Sequence, residues 1–589
     1  MKKTAIFAAV MTLLSASLFA ATLNVADFGA KGDGKTDDTK AFNDALQAAN
    51  KAGGGTVNVS AGKYCIKGNI TVPMSVTLQG EWTAAPLVLT NEGDTPGTLL
   101  MAYAGKGDPA GKPFITLEGH LASLRGFSIV YPEWSQKTVP PTPYPPCIYA
   151  AHSDNNRIEN VNLQNAYDGI RFERVGRFYI NNVQGYPSHV GMSIDECYDV
   201  GRVENCHFWP FGVRYVVGDP YCEWINLHAT AFEFNRTDWQ YVTNTFCFGY
   251  AIGYHLKSKQ AGASNGSMLC VGADCCRRSV VFDDMQYMGW AITNGEFVGR
   301  WGSFDSVGVE IRGDKAGGKI DIVNSAFWGP LVNCVKCDSG NATLSLSSDT
   351  FCDWDMNYDG SPAVDLIKGR AIVNACTFNE STLDIRVGKE MGPTIITSNL
   401  SRGGLKVDNF AKGFVKLNDN EPLAPEITDK EKEHYVLDIG SPGDVRYTTP
   451  MYQSEDAHNP NGAPDPTLKG GKQRWSRGDT CFKLPTIPGK KYHVTFNIYA
   501  PETAVYDKCG FYFGGKRIMT FNGAGTQKLE ADITATDKVS KIYVNAKRWV
   551  PAAVEEGSQD FRELGIIVRS VEMKMNGTKA PAASANKLY

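Results

Sequence analysis

"IENVNL" (158–163), "INNVQG" (180–185), "VENCHF" (203–208), "VTNTFCF" (242–248), "ITNGEF" (292–297), "IVNSAF" (322–327) and "IVNACTF" (372–378) are one phrase written seven times. Each has a β-branched residue, any residue and an asparagine, then an apolar or small residue and often an aromatic. The asparagines are Asn160, Asn182, Asn205, Asn244, Asn294, Asn324 and Asn374, and neighbouring ones lie 22, 23, 39, 50, 30 and 50 residues apart. "LSLSSDTF" (344–351) fills the last gap with a serine variant. A period of about 22 to 26 residues, made of short strands and turn residues, is the mark of a solenoid. The strands are β-branched and no helices separate them, which predicts a parallel β-helix. Asparagine suits its turns, because a side-chain amide donates to and accepts from the same position one coil away. Cys206, Cys247 and Cys376 lie close to the repeated asparagines and are expected to stack inside as small hydrophobes.

A solenoid needs an end. "DFGAKGDGKTDDTKAFNDAL" (27–46) supplies turn residues and then a short amphipathic helix. Gly29, Gly32 and Gly34 permit positive φ, and Asp33 and Asp37 bond back to their own backbone. Asp38 or Thr39 is expected to cap a helix with Ala41, Phe42, Ala45, Leu46 and Ala49 on one face, stopped by Gly53-Gly54-Gly55. Such a helix covers the unpaired strand edges of the first coil.

The 589 residues predict two or three domains. The 59 basic and 63 acidic side chains nearly cancel, which gives a nucleic-acid or anionic-membrane partner no electrostatic support. Lys2 and Lys3 precede an apolar run to about Phe19, closed by Ala20-Ala21; residues 1–21 read as a bacterial secretory signal peptide, so the protein is expected to be secreted or periplasmic. The β-helix is expected over 22–420, a linker over 421–435, a β-sandwich of jelly-roll type over 436–576 and a disordered tail over 577–589. Cys481 and Cys509 fall in neighbouring predicted strands and are candidates for a disulfide. Cys275-Cys276 and Cys334-x-x-Cys337 lack the second cysteine pair or spaced histidines of a zinc site, so no metal is expected there. Whether the chain is a monomer or a homo-oligomer is left open.

The cap and first coils, with "GGGTVNVSAGKYCI" (53–66) and "ITVPMSVTLQGEW" (70–82), resemble the pectate-lyase-like family of parallel β-helix proteins, which includes polygalacturonases, rhamnogalacturonases and epimerase-like domains. The sandwich resembles accessory modules of bacterial polysaccharide enzymes. The resemblance implies a polysaccharide substrate, and glycoside hydrolysis is the expected reaction. A lyase, or a carbohydrate-binding or structural β-helix, is the alternative.

Hydrolysis requires two carboxyl groups. Asp283 and Asp284 are similar to the paired aspartates of polygalacturonases, although the Asn-x-Asp and Gly-His-Gly motifs are missing and "SHVGM" around His189 is a poor copy of the latter. The second acidic cluster is Glu223, Glu233 and Asp238, with Trp224, Trp239 and Tyr241. Asp283, Asp284, Glu233 and Asp238 are the catalytic candidates; Glu223, Trp224, Trp239, Trp290, Trp301 and Arg312 are the candidates for binding substrate. A lyase needs instead a base and a cation, for which Arg214, Tyr215, His228 and His255 stand. No cofactor is expected other than calcium, for which Asp353 and Asp355 in "DWDMNYDG" provide an oxygen-rich loop without the EF-hand pattern. The insertions 131–147, 209–242 and 256–279 are expected to wall a cleft.

Overall fold

The computed structural model describes residues 21–84, 97–216, 218–300, 305–357, 359–380, 382–401, 404–411, 413–421, 427–441, 444–452, 455–456, 472–555, 558, 560, 562–577 and 586–587. Of the stretch read as a signal peptide, residues 1–20 lie outside them and Ala21 opens the strand Ala21–Asn24. The chain folds as two compact units, Met1–Ala273 with Phe282–Trp290, and Asp274–Val281 with Ala291–Tyr589.

The first unit is built of parallel coils of a right-handed β-helix. One row of strands runs Ile148–Asp154, Asp168–Gly176, Val190–Asp195, Thr230–Phe234 and Ile252–Leu256. Each is in parallel register with the next, so that Ile148, Ile170, Met192, Phe232 and Tyr254 stack inside, all buried. Because strand side chains alternate, the residues one further along form an outward row: Tyr149, Arg171, Ser193, Glu233 and His255. A second row stacks Ile158, Ile180, Val203, Val242 and Met268 inside. The helix Thr39–Lys51 buries the five predicted apolar residues. Asp38 stands before it without a side-chain capping bond; its carboxylate accepts instead from the Lys31 and Gly32 N–H groups (2.7 and 3.2 Å), tying the entry loop.

Six of the seven repeat asparagines adopt the left-handed conformation, with φ between 51° and 57°. Asn182 donates to Asn160 (2.8 Å) and Asn244 to Asn205 (3.3 Å), and in the second unit Asn324 donates to Asn294 (2.7 Å). The exception is Asn374, which lies on a strand; the left-handed turn falls on Ala375, as it does on Ser348 one coil before. Cys206, Cys247 and Cys376 are buried as expected, and all fifteen cysteines are free thiols.

The second unit has parallel coils of its own, through Val307–Arg312, Asn333–Ser347, Val364–Asn374 and Ile385–Thr397. Their outward residues alternate in charge: Glu310, Lys336, Asp365, Arg386 and Asp408 in one line, and Arg312, Asp338, Lys368 and Glu390 in another. Opposite charges on adjacent strands attract, so this face neutralises itself. Antiparallel strands follow, in two sheets that share the long strand Lys472–Pro485. Phe482, Phe496 and Phe511 meet in the core between them. Cys481 and Cys509 do not pair, because the strand Val539–Asn545 lies between the strand of Cys481 and the strand Gly510–Phe513 that follows Cys509. Of the tail read as disordered, Asn586 and Lys587 pair with Tyr435 and Val436.

Two buried carboxyls of this unit set a pH dependence. Asp349, beside the left-handed Ser348, accepts from the Ser325 and Ser347 N–H groups (2.8 and 3.1 Å). Asp384 accepts from the Lys406 N–H (2.8 Å). Burial pushes both up to about 7 despite those bonds. An unfolded aspartate titrates near 4. The folded state therefore keeps protons that the unfolded state releases as pH rises from about 4 to about 7, and stability falls across that window. Thermal melting should occur several degrees higher at pH 5 than at pH 8. Asp349→Asn should flatten that slope, since Asn399 and Asn420 occupy the same turn site in later coils, where each accepts a backbone N–H. An unchanged slope in Asp349→Asn would refute the assignment.

Candidate functional site

Asp168 opens its strand and is buried, and its backbone carbonyl accepts from Cys147 N–H in the preceding coil (2.9 Å). An imidazole and a guanidinium share its carboxylate: His189 through Nδ1 to Oδ1 at 2.7 Å, and Arg171 through Nη2 to Oδ2 at 3.2 Å. Arg171 lies three residues along the same strand, on its outward face. His189 stands one coil on, immediately before Val190, with its ring stacked on Tyr167 (4.7 Å, 16°). A carboxylate only accepts, so Nδ1 carries a proton, and in the neutral ring Nε2 presents its lone pair. Nε2 has no hydrogen-bond partner among the described residues, and the side chain is 40% exposed.

Two insertions flank this group. Residues 131–147 enter just before Ile148, and residues 209–229 just before Thr230. The strands they precede are three coil steps apart, about 14 Å. The insertions nevertheless meet: Trp134 Nε1 donates to the Tyr221 hydroxyl (2.9 Å) and Gln136 Nε2 to the Arg214 carbonyl (2.9 Å). Asp168, Arg171 and His189 belong to the two coils spanned by that contact.

The rest of the outward row is polar. The Tyr149 hydroxyl donates to Glu173 (2.9 Å), and burial together with that carboxylate pushes the phenol up to about 12. Glu233 accepts from Ser193 Oγ (2.9 Å) and Asn235 Nδ2 (3.0 Å) and is paired with Lys257 (2.7 Å). Burial alone would raise its carboxyl; the Lys257 charge and hydrogen bond, the Asn235 amide and the Lys259 charge overcome that and hold it at about 2. His255 Nε2 meets Asp283 at 2.6 Å.

The residues singled out from sequence are scattered over this frame. Glu233 is on the row, and Asp283 reaches it through His255. Asp284 follows, half-buried, with its N–H directed to the Leu256 carbonyl (3.3 Å). Asp238 lies at the far end of its coil face, clamped by Arg236 (2.5 and 3.1 Å) and Gln286 (3.0 Å). Burial opposes the shift, but the Arg236 and Gln286 bonds lower its carboxyl below the usual range. Glu223 and Trp224 sit on the helix Pro220–His228 inside the second insertion, with Trp224 against His228 at 5.0 Å. Tyr215 donates to Asn226 (3.1 Å), and Arg214 is exposed. Trp239 is exposed, whereas Trp290 is 2% exposed and packs on Phe234, which leaves no ring face for a sugar. Arg312 is part of the charge ladder, 3.7 Å from Glu310. Trp301 lies outside the described residues. Asp353 is paired with Arg477 of the strand Lys472–Pro485 (2.8 Å), and one oxygen of Asp355 accepts three backbone N–H groups of its own loop (3.1 Å each). Asp168, Arg171 and Tyr149 were not among the residues singled out. Their signal is the 22-residue step from Ile148 to Ile170 to Met192, which sets Asp168 beside His189 only once the register is known.

Residues 22–202 match the family model described as rhamnogalacturonase A/epimerase, pectate lyase-like. A stretch of 45 residues is 64% identical to alginate lyase 7 of Azotobacter vinelandii, covering 8% of this chain and 5% of that protein. A stretch of 113 residues is 34% identical to mannuronan C5-epimerase AlgE5 of the same organism, covering 18% and 11%. The matched stretches thus span a small part of either relative's length. Among solved structures, the A-module of mannuronan C-5 epimerase AlgE4 of A. vinelandii superimposes with a TM-score of 0.40 and 14% identity over 69% of this chain and 100% of that one. A tailspike protein of E. coli bacteriophage HK620 gives 0.45 and 9% over 94% of each.

Proposed function

We propose that the chain acts on a polyuronate by removing the C5 proton of a uronate residue, with β-elimination as the outcome. The observation that carries this reading is the Asp168 carboxylate shared by an imidazole and a guanidinium. Asp168 fixes the His189 tautomer, so that Nε2 is the base that takes the C5 proton. Negative charge then grows on the uronate carboxylate, and the Arg171 guanidinium neutralises it. The C5–H electrons form the C4–C5 double bond, the C4–O4 bond breaks, and the leaving O4 takes a proton. Tyr149, one coil step from Arg171 and kept protonated up to about pH 12, is the hydroxyl placed to give it.

The similarity to an alginate lyase and to mannuronan C5-epimerases supports chemistry at C5, and the family match over 22–202 includes Tyr149, Asp168, Arg171 and His189. Hydrolysis by the expected carboxylates has less support. It needs a carboxyl that stays protonated near neutral pH, whereas Glu233 is held at about 2 and Asp238 is lowered by its partners.

The test is a panel of alginate, polymannuronate, polygalacturonate and neutral glycans, followed for new reducing ends, for absorbance of the unsaturated uronate, and for deuterium at C5 in heavy water. Reducing ends and absorbance should rise together on a polyuronate. Deuterium without absorbance would keep the proton abstraction and replace elimination by epimerisation. Reducing ends without absorbance would establish hydrolysis and overturn the reading.

A further inference from the structure

In the first unit the turns at the exit edge of the outward row, away from Asp168 and His189, carry exposed rings. Tyr198 is 43% exposed, Trp239 55% and Tyr287 79%. These turns are cross-linked. Trp239 N–H donates to Asn265 Oδ1 (3.0 Å), Asn265 Nδ2 to Gln286 Oε1 (2.7 Å), and Gln286 Nε2 to Asp238 Oδ1 (3.0 Å) and the Thr237 carbonyl (3.2 Å). Tyr287 and Met288 are the two central residues of a turn closed by Gly289 N–H to the Gln286 carbonyl (2.8 Å). Trp239 has a φ of 51°, a conformation that costs a bulky residue free energy and that its surroundings must hold. The turns that carry the rings are thus held in place, and the rings themselves are displayed and unneeded by the core. Among them are polar groups: Arg236 over the Tyr198 ring (5.0 Å), Asp238, Gln286, and Lys259, which is 41% exposed and no closer than 3.7 Å to its acids Asp195 and Glu233.

We propose that this edge is a second carbohydrate surface, on which a polyuronate chain lies with sugar rings stacked on Trp239 and Tyr287 and a carboxylate toward Lys259. A protein partner would call for a contiguous apolar centre, and here hydrogen-bonding side chains separate the rings. The turns of Trp239 and Tyr287 are two coil steps apart, about 10 Å, which is the repeat of a disaccharide. Tyr198, one step to the other side of Trp239, extends the track. The choice of a uronate rests on the proposed function; the stacking does not.

The test is electrophoresis through gels containing alginate, polygalacturonate or a neutral glucan, with the full chain, His189→Ala, and Trp239→Ala/Tyr287→Ala. Both variants should give the circular dichroism of the full chain, since neither His189 nor the two rings belong to the core. The full chain and His189→Ala should be retarded equally by a polyuronate, and the double variant should lose about tenfold in apparent affinity, with Trp239→Phe/Tyr287→Phe restoring most of it. Equal retardation of the full chain and the alanine double variant, or no retardation in any gel, would overturn the surface. Retardation by the glucan alone would overturn its assignment to uronates. Loss of elimination with retardation intact concerns His189 and leaves the edge standing.

Discussion

His189→Ala should lower kcat for uronate elimination by about 10³-fold, the usual worth of a positioned general base. The substrate should still bind, because Arg171 and the row behind it are untouched. Added imidazole should restore part of the rate, which a change that merely loosened the coil would not allow. Asp168→Asn keeps the shape of the side chain but removes the negative charge that both His189 and Arg171 use. It should cost at least about 10²-fold, by releasing the Nδ1–H tautomer, and the imidazole ring should keep its place on Tyr167. Arg171→Ala should act differently. It removes a group that meets the substrate carboxylate before and during proton removal, so KM should rise as well as kcat fall. Steady-state rates on the polyuronate chosen by the panel separate the three. Full activity in His189→Ala would move the base elsewhere on the row, with Lys257 and His255 the groups to examine next.

The coil register was legible from residues alone because it is enforced at every turn: a β-branched residue two places before a left-handed asparagine must point inward. The same parity places Trp290, four residues before Asn294, inside. Treating Trp290 as a sugar platform overlooked a constraint already present in the repeat. Asn374 misled for the opposite reason. Its phrase "IVNACTF" fits the repeat, but the turn has moved one residue to Ala375, and only backbone dihedrals show the shift. The site was the least legible part. Asp168, Arg171 and His189 are separated by ordinary sequence, and a lone histidine carries no signal until a coil step brings a buried carboxylate to its Nδ1. The carboxylates that did stand out, Glu233 and Asp238, stand out for a structural reason: each is an anion that its coil needs, matched by Lys257 or Arg236.

The largest expected effect on stability lies in the antiparallel sheets. Arg474 and Asp444 are both buried, and the guanidinium grips the carboxylate with Nε (2.8 Å) and Nη2 (3.1 Å) while Nη1 donates to the Tyr452 carbonyl (2.9 Å). The Gly440 N–H completes the set on Asp444. Arg474→Met fills similar volume with an apolar chain but leaves the Asp444 charge without its cation in a site closed to water. Removing one partner of such a pair costs about 3 to 5 kcal/mol, most of it from the stranded charge. A domain of this size should then melt about 10 °C lower. Asp444→Asn added to Arg474→Met removes the stranded charge while keeping an oxygen for Gly440 N–H, and should recover more than half of the loss. Chemical denaturation of the wild type, both single variants and the double variant gives the coupling directly. A single variant within about 1 kcal/mol of the wild type would show that water or a rearranged Asp444 relieves the charge, and that this pair sets geometry rather than stability.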